Sequence, residues 1–287
     1  MTSMEPAVST QPRLPTFVII GAMKSGTTTL GAYLNAHPNA YCAQEPHFFD
    51  QNFERGVAWY RERFRDAGEA AVVGEKSPSY MYHPEAIRRL TEVLPDGRLV
   101  AILRHPVHRA YSHYWHERRI KKETLSFGDA LDAEPRRLRE YPDGLCPFAY
   151  VDRGLYLEQL RRVVGFAPRE RLLVLLFEDL LRAPEETYSE LGRFLGIDGS
   201  LAAPPGPEES NAYRTYHPEW AWKLMHRYRL WGRLPRPIAG RLWRAMQREA
   251  TYPPIDAAQH ARLLDRFAEP NRALGDWLGR DLPEWSV

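Results

Sequence analysis

The sequence predicts an α/β protein, with a parallel sheet flanked by helices on both faces and a helical elaboration towards the C-terminus. Three observations predict it. Continuous apolar runs at Phe17–Ile20, Leu99–Leu103 and Leu172–Phe177 read as strands buried on both faces. Helical patterns separate them, and alternation of that kind builds parallel sheets. The chain has 287 residues, 44% hydrophobic and 26% charged, which suits one large globular domain.

Residues 1–14 are polar and contain proline, without an apolar core of signal-peptide length, and are expected to be a flexible N-terminus. Pro15 and Gly21 bound the first strand. A helix follows from Thr27 through Leu30 and Leu34 towards His37-Pro38. Ala40–Ala43 reads as a short strand. Gly56–Ala67 is amphipathic, with Trp59, Tyr60 and Phe64 on one side. Ala71–Gly74 is the next strand, and Pro84 opens a helix striped by Ile87, Leu90 and Leu94. Pro95-Asp96-Gly97 turns the chain into strand Leu99–Leu103, and Pro106 starts another helix. Phe127–Leu138, Gly154–Val164 and Pro184–Leu195 read as helices around strand Leu172–Phe177.

Residues 15–198 thus form an α/β core. Prolines and glycines between Gly199 and Glu209 mark 199–217 as a loop or linker. Residues 218–287 carry many Trp, Tyr and Arg, no strand pattern from Pro218 to Met246, and a long helix over Ile255–Leu278. Their own core would be small, so they read as an elaboration of a single domain, 15–287.

The turn after the first strand carries the chemistry. Gly21-Ala22-Met23-Lys24-Ser25-Gly26-Thr27-Thr28 joins a buried strand to a helix, and Thr29 adds a third hydroxyl. Small residues let backbone N–H groups reach an anion, and the helix N-terminus adds partial positive charge. The sheet is therefore P-loop-like. It is not a Walker A loop: Gly21 and Gly26 have the spacing, but Thr27 stands where lysine belongs, and the lysine is Lys24.

Two further cations lie just past strand ends, Lys76 and Arg104. Open parallel sheets bind ligands along that edge. Three cations, delivered to one edge by separate strands, point to an anion site. Net charge is only +2, so a general polyanion surface is not implied and no nucleic-acid partner is expected. Cys42 and Cys146 have no metal-ligand spacing and read as free thiols of a reducing cytoplasm. No apolar run reaches the ~18 residues of a membrane span, and no metal is expected.

The first loop resembles the 5′-phosphosulfate loop of sulfotransferases that use 3′-phosphoadenosine 5′-phosphosulfate (PAPS). Arg104-x-Pro106-x-x-Arg109-Ala110-x-Ser112-x-Tyr114 is similar to the 3′-phosphate motif of that family. Glu75-Lys76-Ser77-Pro78-x-Tyr80 and Glu45-x-His47-Phe48-Phe49 resemble its heparan sulfate branch, the glucosaminyl 3-O- and N-sulfotransferases. The likeness runs from Phe17 to about Tyr114. It continues loosely through Arg153-Gly154-x-Tyr156 and Phe177-Glu178-Asp179, and through Leu264–Leu274 and Trp285, which look like the family's closing helix and terminal tryptophan.

The resemblance implies a sulfuryl transferase releasing adenosine 3′,5′-bisphosphate (PAP). Lys24, Ser25, Gly26, Thr27, Thr28 and Thr29 would hold the phosphosulfate. Arg104 and Ser112 would hold the 3′-phosphate, with Arg214 as a further contact. Glu45 is the implied base and Lys76 the bridge between base and sulfonate. His47 competes, because cytosolic members use histidine. His105, His108, His113 and His116 are expected at the surface or around the 3′-phosphate. The acceptor could be a glycan, a lipid or another small molecule. The alternatives are a P-loop nucleotide kinase or other phosphotransferase, and a non-catalytic nucleotide-binding module. The first lacks its aspartate at the end of strand Leu99–Leu103, and the second has no use for Glu45 and Lys76.

Overall fold

A computed structural model of the chain describes residues 12–142, 144–197 and 253–286, and the backbone of 213–216 and 247–250. Five strands form one parallel sheet: β1 (Phe17–Gly21), β2 (Ala40–Gln44), β3 (Val72–Lys76), β4 (Arg98–Leu103) and β5 (Leu172–Leu176), in the order β2-β3-β1-β4-β5. The three cations predicted at the edge therefore come from three adjacent strands at the centre.

Successive residues of a strand face opposite sides, so β1 feeds two cores. Phe17 and Ile19 pack with Leu30 and Leu34 of α1 (Thr27–Ala36). Leu180 of α7 (Phe177–Arg182) and Leu191 of α8 (Pro184–Leu195) join the same core. Val18 and Ile20 pack on the other side, with Ile87 of α3 (Ala86–Val93), Leu160 of α6 (Tyr156–Phe166), Leu274 of α9 (Ala257–Leu278) and Trp285. Gly74 of β3 is glycine because a Cβ there would lie 2.2 Å from the Phe17 ring.

Several boundaries move. The amphipathic stretch divides into α2 (Gly56–Arg61) and a 3-10 turn at Glu62–Ala67. Pro84 precedes α3 rather than opening it, and a 3-10 turn at Asp152–Gly154 precedes α6. Phe177 leaves the strand to begin α7, whose first turn carries Glu178 and Asp179, favourable at a helix N-terminus. Helices α4 (Pro106–Arg119) and α5 (Phe127–Glu140) start as expected.

The chain divides into two compact units, Met1–Gly206 with Asp256–Val287, and Pro207–Ile255. Within the second, β6 (Tyr213–Tyr216) and β7 (Gln247–Ala250) pair antiparallel, Tyr213 opposite Ala250. A strand thus lies where a linker was expected. Four residues carry too little alternation to be read locally, and the partner strand is far along the chain. The expected helical segment over 218–246 lies outside the described residues.

Candidate active site

The loop after β1 enters α1 through Gly26, at φ +93, in the left-handed region that favours glycine. A Cβ there would sit 2.7 Å from Phe177. No side chain caps α1 and its first turn holds no acid. Lys24 also has positive φ, 69. Burial, then the charges of Arg119 and Arg104, push its ammonium down to about 8. Ser25, Thr27 and Thr29 are buried, whereas Thr28 is exposed.

Thr28 faces the second cation. Lys76 is almost wholly buried, and its Nζ donates to Glu45 Oε1 at 2.5 Å and to Thr28 Oγ1 at 3.4 Å. Its position at the end of β3, beside β1, brings it to the loop.

Glu45 and His47 follow β2, and both sit at φ 49, a left-handed conformation that costs about 1–2 kcal/mol per residue. Such backbone persists where its surroundings over-determine it. Here the loop after β3 does so. Glu45 N donates to Lys76 O at 2.8 Å, and His47 N to Ser77 Oγ at 3.1 Å. Phe48 N and Phe49 N donate to the Tyr80 hydroxyl. Fully buried Glu75 in turn accepts from Ser77, Tyr60 and Tyr80. Burial raises its carboxyl to about 7 against those bonds. The two sequence motifs are therefore one structure, in which the second clamps the first.

His47 Nδ1 lies 3.1 Å from Asp50 Oδ2 and 3.3 Å from Ser79 Oγ, and its Nε2 lies 3.7 Å from Glu45 Oε2. Burial favours the neutral ring, but the bonds to Asp50 and Glu45 outweigh it and hold His47 at about 9. The bond from His47, opposed by burial and aided by Lys76, holds Glu45 at about 2. At neutral pH this is an imidazolium between two carboxylates. The sequence assigned no role to Asp50 or Ser79, although Asp50 is the second acid, with Glu45, among the aromatics around His47 and marks that turn as a site wall.

Arg104 leaves β4 with its guanidinium 4.8 Å above the Phe177 ring, donating to Lys24 O at 3.3 Å. The Tyr156 hydroxyl donates to Arg104 O at 2.8 Å. Ser112 is half-buried two turns along α4. Arg109, within the same motif, is fully buried and donates to Tyr150 O, a role in packing. Of the four histidines expected at the surface or around the 3′-phosphate, His105 and His113 are buried. His105 caps α4, its Nδ1 accepting from Val107 N, and His113 packs on Tyr150. Arg214 lies in β6, and its side chain lies outside the described residues. Cys42 and Cys146 are buried free thiols.

A lysine touching both an ionised carboxylate and an anion loop suits a transferase better than a passive nucleotide binder, and that is the class this edge defines. Comparison gives the family. Residues 14–216 match the sulfotransferase domain, and the chain belongs to that family. It is 34% identical over 190 residues to human heparan sulfate glucosamine 3-O-sulfotransferase 6, covering 64% of this chain and 53% of that one. It is 31% identical over 198 residues to human bifunctional heparan sulfate N-deacetylase/N-sulfotransferase 3, covering 64% and 22%. The chain spans about half the length, or less, of these curated relatives. The crystal structure of a sulfotransferase from Alicyclobacillus acidocaldarius is similar at TM-score 0.73 and 26% identity, over 96% of this chain and 100% of that one. No described helix is long and apolar enough to cross a membrane.

Proposed function

We propose that the protein moves a sulfuryl group from PAPS to a hydroxyl or amine of an acceptor and releases PAP. The observation that carries this reading is buried Lys76, in reach of both Glu45 and Thr28. One cation then joins the proton acceptor to the donor loop. Like phosphoryl transfer, the reaction asks for positioning and charge neutralisation more than covalent chemistry.

The residues suit the donor. The uncapped start of α1 leaves first-turn N–H groups for an anion. The Lys24 ammonium, crowded by Arg119 and Arg104, would recover beside a phosphate. Lys24 and Ser25 to Thr29 would hold the phosphosulfate. Arg104 and Ser112 would grip the 3′-phosphate, a guanidinium fork being suited to a dianion. Arg214 is a further candidate there.

Glu45 is the base. It is ionised at neutral pH, whereas His47 already carries its proton and serves to orient Glu45. The acceptor's oxygen or nitrogen bonds to sulfur as the bond from sulfur to the bridging phosphate oxygen breaks. The acceptor proton passes to Glu45, and Lys24 and Lys76 neutralise charge on the departing phosphate. A carboxylate held at about 2 by His47 and Lys76 is a weak base. A shift of Lys76 towards the Thr28 side, as charge develops there, relieves the Lys76 part of that hold and raises the basicity of Glu45. The reaction as written asks for no metal ion.

A glycan is the favoured acceptor, since the relatives' names are those of heparan sulfate sulfotransferases. Lipids and other small molecules are the remaining acceptor classes, and the cytoplasm is the proposed location. Incubation with radiolabelled PAPS and a panel of acceptors tests the reading. Label on a glycan, with PAP formed, is expected. Stabilisation by ATP–Mg²⁺ but not by PAP would overturn it in favour of a phosphotransferase.

A further inference from the structure

The first turns of α4 carry an accessible stripe through a buried surface. Pro106, Val107, Arg109, Ala110 and His113 are buried, whereas His108 is exposed and Ser112 half-buried. Arg104, His108 and Ser112 are spaced four residues apart. Four residues apart on α4, His108 and Ser112 lie on one face, and Arg104, two residues before the helix, is near enough for its charge to act on His108. A second imidazole reaches the same place from another element. His260 of α9 lies 6.1 Å from the His108 ring and 6.5 Å from His105. His105 lies 4.4 Å from His108, but its Nδ1 is committed to capping α4.

We infer that His108 and His260 complete the 3′-phosphate subsite with Arg104 and Ser112, so that binding of the nucleotide draws a proton onto His108; this rests on the PAPS reading above.

The electrostatics follow from the neighbours. The groups facing His108 are Arg104 and His105 at the start of its own helix and His260 on α9. From α7, Glu178 accepts the His105 backbone N–H at 2.8 Å. Although His108 is exposed along one side, desolvation of the rest of its ring, then the charges of Arg104 and His260, lower it to about 4, so its ring is neutral at pH 7 in the free protein. A phosphate dianion among these groups reverses the local field and favours the imidazolium. Between about pH 4 and the raised bound-state value, binding takes up a proton and tightens as pH falls. Below about pH 6 the phosphate itself begins to protonate, which opposes the trend. The useful window is therefore above that.

Titration calorimetry of the whole chain at pH 7, in two buffers of different ionisation heat, tests this with PAP and AMP. PAP should bind with uptake of a fraction of a proton, and AMP with less. His108→Gln should abolish the difference in uptake and weaken PAP about tenfold, the scale of a lost hydrogen bond to a charged group, while AMP is unchanged. His260→Gln should weaken PAP by a smaller factor, with AMP again unchanged. Wild-type affinity for PAP in His108→Gln, retained proton uptake, or equal loss for both nucleotides would overturn the inference. Failure of the PAPS reading is separately visible, since the wild type would then not prefer PAP over AMP, and that result would remove this inference as well.

Discussion

Replacing Glu45 by glutamine tests the centre of the mechanism. The amide keeps the shape of the side chain but cannot take a proton. It also removes the negative charge 2.5 Å from Lys76 Nζ and 3.7 Å from His47 Nε2. The base contribution is on the order of 10²–10⁴ in turnover. The proposed nucleotide sites, Lys24 to Thr29 and Arg104 with Ser112, keep all their side chains. Glu45→Gln should therefore bind PAP normally and lose 10²–10⁴ in kcat, on the scale of a general base. His47→Asn removes the imidazolium proposed to orient Glu45, together with its contacts to Asp50 and Ser79. Its loss should be that of one charge-assisted hydrogen bond, about 1.5–3 kcal/mol, or roughly tenfold to a hundredfold. The assay is single-turnover transfer from labelled PAPS to a hydroxyl acceptor, with PAP binding measured in parallel. A hydroxyl is needed because a neutral amine demands less of a base. Near-normal turnover in Glu45→Gln, with transfer abolished and binding intact in His47→Asn, would refute the reasoning and make histidine the base.

Arg104→Ala should weaken PAP by about 1.5–3 kcal/mol and AMP far less; equal changes in melting temperature with the two nucleotides would remove Arg104 from the 3′-phosphate site. His47 is raised from its ordinary 6.5 to about 9, so its contribution to stability is complete below about 6.5 and lost as pH rises through about 9. The kcat/KM profile should fall on that alkaline limb, and Asp50→Asn should move the limb to lower pH. Gly26→Ala places a Cβ 2.7 Å from Phe177 at a φ of +93. It should cost about 1–3 kcal/mol, read as a lower melting temperature. It should also weaken PAP binding, because Arg104 packs on that ring; an unchanged melting temperature would contradict the strain.

The sequence by itself determined the strands and the small-residue loop that joins β1 to α1. Phe17–Ile20, Leu99–Leu103 and Leu172–Phe177 are legible because burial on both faces leaves an unbroken apolar run, although Phe177 itself begins a helix. The loop is legible because backbone approach to an anion demands glycine and small residues within a few positions. Lys24, Lys76 and Arg104 could be assigned to one edge because each directly follows its strand or ends it. What joins sequence-distant groups was decided only by the tertiary structure. The service of Glu75, Tyr80 and Ser77 as a clamp on the Glu45–Phe49 turn depends on β2 and β3 lying side by side. So does the charge of His47, which is set by Asp50 and Glu45 against burial rather than by the ring itself. The meeting of His108 with His260 depends on α9 returning to α4 across more than half the chain. Local pattern records which residues prefer a strand, a turn or a helix. Protonation states and contacts between elements arise from distances of a few ångströms between groups far apart in the chain, and only packing fixes those distances.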